Sequence, residues 1–162
     1  MKNLYLLTIL LSISCSALSG DGITEKFKQM GCKFGAESVA PYAVKIENAV
    51  GEIVSKTEPN SALRKKYYQD LVDSTEKSID IFYTVTKEVK EGTINDPSFK
   101  AKNQYQRMSD EANLSIYYTA SVFAYELGIA MALQNGSQNK KYSETRYLRN
   151  VESECLSVSD KK

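Results

Sequence analysis

The chain contains no histidine and no tryptophan. Without histidine there is no imidazole base or metal ligand, and no Ser-His-Asp or Cys-His constellation. Haem attachment through Cys-x-x-Cys-His is excluded with it. The eight glycines are scattered singly, so no glycine-rich phosphate loop is present. Calcium loops with Asp at alternating positions are absent as well. Glu88 with Glu91, and Asp110 with Glu111, are the nearest thing to paired carboxylates, yet such neighbours on a helix are ordinarily solvated surface. No cofactor or metal is implied, and an enzyme is the least favoured class.

An excess of either charge is also lacking. Twenty-one Lys+Arg face 20 Asp+Glu, for a net charge of +1. That balance supplies no basic field for nucleic acid. Arg64-Lys65-Lys66 is the longest basic run, and a solvated helix face accounts for it. Sustained alternation of apolar and polar residues, the mark of a half-buried strand, is missing throughout.

What is present fits one soluble globular domain: 162 residues, 42% hydrophobic and 25% charged. The first 19 residues read as a secretory signal peptide. Lys2 gives the positive start, Leu4 to Ile13 the apolar run, and Ala17-Leu18-Ser19 the small residues before a cleavage site. Such a run is too short to span a bilayer. Residues 20–162 would then form a single exported domain, periplasmic or extracellular. Lipid anchoring through Cys15 is the alternative, although Ser12 stands where a lipoprotein site calls for an aliphatic residue. With Cys15 removed, Cys32 and Cys155 make one even pair in an oxidising compartment, and a disulfide is the default. Closing a loop of about 120 residues, it stabilises by at most about 4–5 kcal/mol on the loop-entropy account.

Periodicity and punctuation divide the domain into helices. A short one is expected over 21–31, stopped by Gly31, with Cys32 and Gly35 in a turn. A second begins at the N-cap Ser38 with Pro41 in its first turn and runs to Lys56. A third covers 61–91, closed by Gly92, continuous despite the polar run from Asp73 to Ser78. Its apolar stripe is Leu63, Tyr67, Leu71, Ile79, Phe82, Val85 and Val89. Asp96-Pro97 starts a fourth that ends at Asn135-Gly136, about 55 Å long. A fifth spans 143–155, leaving 157–162 as a loose tail. The expected fold is all-α: an antiparallel bundle of three long helices with short N- and C-terminal helices and one disulfide.

The most apolar stretch is Asn113 to Leu133, with Glu126 its only charge. Ile116, Ala120, Phe123, Ala124, Leu127 and Met131 share one face. Ala120, Ala124, Gly128 and Ala132 form a small-residue ridge where another helix can approach closely. The reverse face carries Tyr118, Val122, Tyr125, Ile129 and Leu133, to be covered either by the same chain or by a partner. Glu126, on its flank, either pairs with a neighbouring Lys or Arg or anchors something bound there. Tyr118, Val122, Tyr125, Glu126 and Ile129 are thus the candidate interface. Eleven tyrosines suit core boundaries and contact surfaces alike. Asn113-Leu114-Ser115 and Asn135-Gly136-Ser137 match the N-glycosylation pattern.

Together these features point to an exported helical protein-binding module without catalytic groups, of the inhibitor or immunity-protein type. Its partner would be another protein or a second copy, with no nucleic acid and no stable transmembrane insertion. The alternative is a carrier holding a small apolar ligand between helices, which requires an internal cavity.

Overall fold

The computed structural model describes residues 21–159. The segment expected to be a signal peptide, with Cys15, lies outside the described residues, as does the end of the tail. All regular structure among the described residues is helical, in five helices: α1 (Asp21–Lys56), α2 (Ala62–Asn95), α3 (Pro97–Lys100), α4 (Gln104–Ser137) and α5 (Glu144–Ser159).

The first correction concerns α1. Gly31, Gly35, Ser38 and Pro41 were expected to divide it, yet it is one helix of 36 residues. Ser38 caps nothing; its hydroxyl donates to the Phe34 carbonyl one turn back. Pro41 lies on the exposed side, where the missing N–H costs one helical hydrogen bond and no packing. The glycines are there for proximity. A Cβ at Gly31 would sit 2.2 Å from the Tyr117 carbonyl oxygen, and one at Gly35 would sit 2.1 Å from that of Ser121. Only glycine lets the two backbones come this close.

The ridge of small residues on α4 is the other half of that contact. Gly31 meets Ala120, Gly35 meets Ala124, Val39 meets Gly128, and Val50 meets Gly136. Residue numbers rise together along both helices, so α1 and α4 run parallel. α5 and α2 run antiparallel to α1: Cys32 meets Cys155 while Glu47 meets Tyr147, and Phe34 meets Phe82 while Val54 meets Arg64. On α4 the contacts to α2 (Tyr125) and to α5 (Ala120) lie roughly 140° apart around the axis. The close parallel pair is therefore flanked by α2 on one side and α5 on the other.

The helix ends explain the remaining boundaries. Ser61 caps α2 by accepting from the Arg64 amide, and the Arg64 guanidinium donates to the carbonyls of Val54 and Thr57 at the end of α1. α2 is continuous across Asp73 and passes Gly92 to end at Asn95. Asp96 does start a helix, but α3 lasts one turn. Asn103 then caps α4 in a reciprocal capping box with Gln106, so the expected long helix is broken at 101–103. Asn135-Gly136 does not end α4, because Gly136 is needed against Val50 and the Glu47 carbonyl. The helix ends at Ser137, and the chain turns at Asn139. Asn139 takes a left-handed φ of 55°, Lys140 N–H donates to Asn135 O, and Asn139 N–H donates to Gly136 O.

The core is built by α1, α4 and α5: Cys32, Val39, Ile46, Val50, Ala124, Ile129, Tyr147 and Val151 are all buried. Cys32 and Cys155 lie at disulfide distance, with Cα atoms 5.8 Å apart. α2 joins this core through Tyr68, Leu71, Ile79 and Phe82, all only partly buried.

Candidate binding surface

The reverse face of α4 is shared between the interior and the boundary. Tyr125 and Ile129 are 8% and 3% exposed, covered by the same chain, while Tyr118, Val122 and Glu126 are half-buried. Tyr125 stacks on Phe82 with ring centroids 4.2 Å apart, and its hydroxyl is 2.7 Å from that of Ser78. Phe34, Tyr117 and Tyr118 extend the cluster by ring contacts of 4.9 to 6.0 Å. Of the five candidate interface residues, Tyr125 therefore holds α2 onto α4, and Ile129 belongs to the buried core. Among the described residues Glu126 makes no ion pair or hydrogen bond, and burial raises its carboxyl above the ordinary glutamate value.

A buried polar cluster escaped the sequence reading. Glu47, 3% exposed, lies on the inner face of α1 between Ala43 and Val50. Tyr142 N–H donates to its Oε1 at 2.9 Å, and the Tyr147 hydroxyl donates to its Oε2 at 2.5 Å. Asn135 Nδ2 in turn donates to the Tyr147 oxygen at 3.4 Å. Burial, then the hydrogen bond to Glu47, pushes the Tyr147 hydroxyl far above the usual tyrosine range. The cluster ties α1, α4, α5 and the loop between the last two, and among the described residues every buried side-chain polar atom is satisfied. The signal was available: a charged residue at the 43–47–50 phase of an apolar stripe needs a partner. Asn135, one of the two glycosylation motifs, is committed here and buried, and Asn113 is half-buried on α4.

The surface that remains is on α2. Its inner face buries two threonines, Thr75 and Thr86, whose hydroxyls donate to the carbonyls of Val72 and Tyr83. Larger apolar side chains sit about a quarter-turn away, on an outer flank. Leu63, Tyr67, Ile81, Val85 and Val89 are all exposed there, Ile81 most at 65%. Four of the seven residues expected in the buried stripe, Leu63, Tyr67, Val85 and Val89, thus face solvent. Ser74 and Ser78 complete the flank and border an open cleft of about 510 Å³ that also involves Tyr42, Asp70, Asp73 and Lys77. A second open cleft, of about 480 Å³, lies over Val89, Asp96, Phe99 and Lys102. Both are open surface grooves, unlike the enclosed apolar chamber that a carrier needs.

No group of His, Cys, Asp and Glu among the described residues has metal-ligand geometry. α4 is long and apolar enough to cross a membrane by length and composition, with a mean hydropathy of 1.3 in its most apolar window. Its α1 side is occupied by helix–helix contact, as in the core helix of a globular domain. No protein-family model matches the chain, and no curated protein or solved structure does.

Proposed function

We propose that this chain is an exported, non-catalytic helical module that binds another protein through the outer flank of α2. One observation carries the reading. Leu63 and Tyr67 near its start, and Ile81, Val85 and Val89 in its second half, are large apolar side chains exposed on one flank of a helix whose inner face is already packed. Single exposed apolar residues are normal, whereas several gathered on one flank of a helix mark a contact surface. The expected interface on α4 contributes indirectly, since Tyr125 and Phe82 fix the angle at which α2 is presented. Export rests on residues 1–19 and on the disulfide pair, which suits an oxidising compartment. An inhibitor or immunity-type role is the narrower form of this reading, because such proteins act by covering a partner and need no reactive group.

The experiment is affinity capture from the exported fraction followed by mass spectrometry, with wild type and an Ile81→Asp/Val85→Asp variant as parallel baits. Both substitutions are at exposed positions, so the helical circular-dichroism spectrum should persist. Proteins retained by wild type and lost by the variant support the reading. Identical captures would remove α2 as a binding surface. N-terminal sequencing of exported material should begin near Gly20; a modified Cys15 at the start would replace cleavage after Ser19 with lipid anchoring.

A further inference from the structure

Independently of what α2 binds, we infer that the exported chain is cut after Lys141 by an endopeptidase specific for basic residues. The product is two chains held by the Cys32–Cys155 bridge, and the new N-terminus at Tyr142 pairs with buried Glu47. Sequence and exposure point to this bond first. Among the described residues, adjacent basic side chains occur at 64–66 and at 140–141. The first run lies in the opening turn of α2, where Arg64 is bonded to the end of α1. Lys140 and Lys141 instead lie in the connection 138–143, between α4 and α5. Both are exposed, and among the described residues neither makes an ion pair. Neither of their carbonyls accepts a hydrogen bond. A protease can therefore draw this backbone into its cleft without unwinding a helix.

The position of the scissile nitrogen says what the cut accomplishes. Tyr142 N–H, the amide of the Lys141–Tyr142 bond, donates to Glu47 Oε1 at 2.9 Å. Glu47 is 3% exposed, and its other oxygen accepts from the Tyr147 hydroxyl. Both donors are neutral, and among the described residues no lysine or arginine reaches this carboxylate. A buried carboxylate without a cation is destabilising, and hydrolysis creates a cation beside it. The C–N bond breaks, and the oxygen of one water bonds the Lys141 carbonyl carbon to give a carboxylate. Both water protons pass to the Tyr142 nitrogen, giving an ammonium, the form that dominates for an α-amino group at neutral pH. Tyr142 keeps its place by side-chain contacts: its ring centroid lies 5.4 Å from that of Tyr147, and the Arg146 guanidinium sits 4.1 Å from it. α5 stays as well, since Tyr147 and Val151 are buried and Cys155 lies against Cys32. The cut thus exchanges a covalent link to α4 for an ion pair to α1. α5 is then pinned to α1 at both of its ends.

Exported material tests the cut. Intact-mass spectrometry of the native full chain should show one species without reductant and two after reduction. The smaller should begin Tyr142-Ser143-Glu144 on N-terminal sequencing, and Lys140→Gln/Lys141→Gln should abolish it. One chain after reduction overturns the inference and leaves the α2 reading as it stands; a second chain beginning anywhere else overturns it too. For the pairing, wild type cut by a lysine-specific endopeptidase is treated briefly with acetic anhydride, with exposed lysines as the internal reference. The Tyr142 amine should acetylate at least tenfold more slowly in the native two-chain protein than in urea, and Glu47→Gln should remove that protection. A second readout does not depend on the variant folding. The groups facing the amine are Glu47 of α1, Asn135 of α4, and Arg146 and Tyr147 of α5. Pairing with Glu47 should move half-maximal labelling above the ordinary α-amino value of about 8, whereas burial alone would move it below. Labelling as fast as in urea, or a midpoint below that value, would overturn the ion pair and the inference with it.

Discussion

The two flanks of the α1–α4 pair are built on opposite terms. On the α5 side, packing is close, the disulfide crosses it, and the Glu47–Tyr147–Asn135 cluster closes it with every polar atom satisfied. On the α2 side, the only fully buried α2 side chains are two threonines, and much of that helix's apolar surface points outward. The first flank contributes stability and the second contributes surface. A domain of this size cannot hold every apolar residue inside, and among the described residues α2 carries more of the exposed large apolar side chains than any other helix.

That contrast can be broken from either side. The largest effect should follow from removing the bridge: Cys32→Ala/Cys155→Ala is expected to cost about 4 kcal/mol on the loop-entropy account, seen as a lower denaturation midpoint. Next, Gly35→Ala drives a methyl group into the Ser121 carbonyl and the Ala124 side chain. Forcing the parallel pair apart should cost about 2–3 kcal/mol by urea denaturation. A loss below about 0.5 kcal/mol would mean that the two backbones are not in contact.

The polar cluster gives a pH signature. The Tyr147 value is raised in the fold, so its contribution is complete below the ordinary tyrosine value of about 10 and is lost as pH climbs above it. Melting temperature should therefore fall with rising pH in that alkaline window, and Tyr147→Phe should flatten the fall. A smaller slope should persist in the variant, because burial raises Tyr117 and Tyr118 too. The smallest change has the opposite sign and lies on the other flank. Nothing stands within 4 Å of a Cβ placed at Gly92 of α2. Gly92→Ala should thus stabilise by about 0.5–1 kcal/mol through helix propensity alone, a rise of a few degrees in melting temperature.

The all-helical class, the cysteine pair, the continuity of α2 and the small-residue ridge on α4 could all be read from local pattern. The organisation of α1 could not. Glycine and proline ordinarily punctuate helices, and at Gly31, Gly35 and Pro41 the local signal was overruled by a helix that is distant in sequence. The complement was visible, since Gly31 and Gly35 stand four apart as Ala120, Ala124 and Gly128 do, but pairing them needs a contact across more than eighty residues. Asn135-Gly136 misled for the same reason. For the candidate surface, the stripe of α2 was found as a composition and misplaced as a phase. Large apolar residues were assigned inward, while the fold puts Thr75 and Thr86 there because a threonine can return its hydroxyl to its own helix.

The parallel pairing of α1 with α4 also sets the order of events during synthesis. α1 is the first helix to be made, and the carbonyls its glycines nestle against belong to residues 117 and 121. Its cysteine waits longer, for a partner 123 positions on. At translation rates of about 5–20 residues per second, that interval is roughly 6–25 s. Until residues 117–136 are made, the most apolar face of α1 has only α2 to lean on, and throughout the interval Cys32 remains an unpaired thiol. A chain wired this way covers α1 only once α4 has arrived, and locks it only when the last helix brings Cys155.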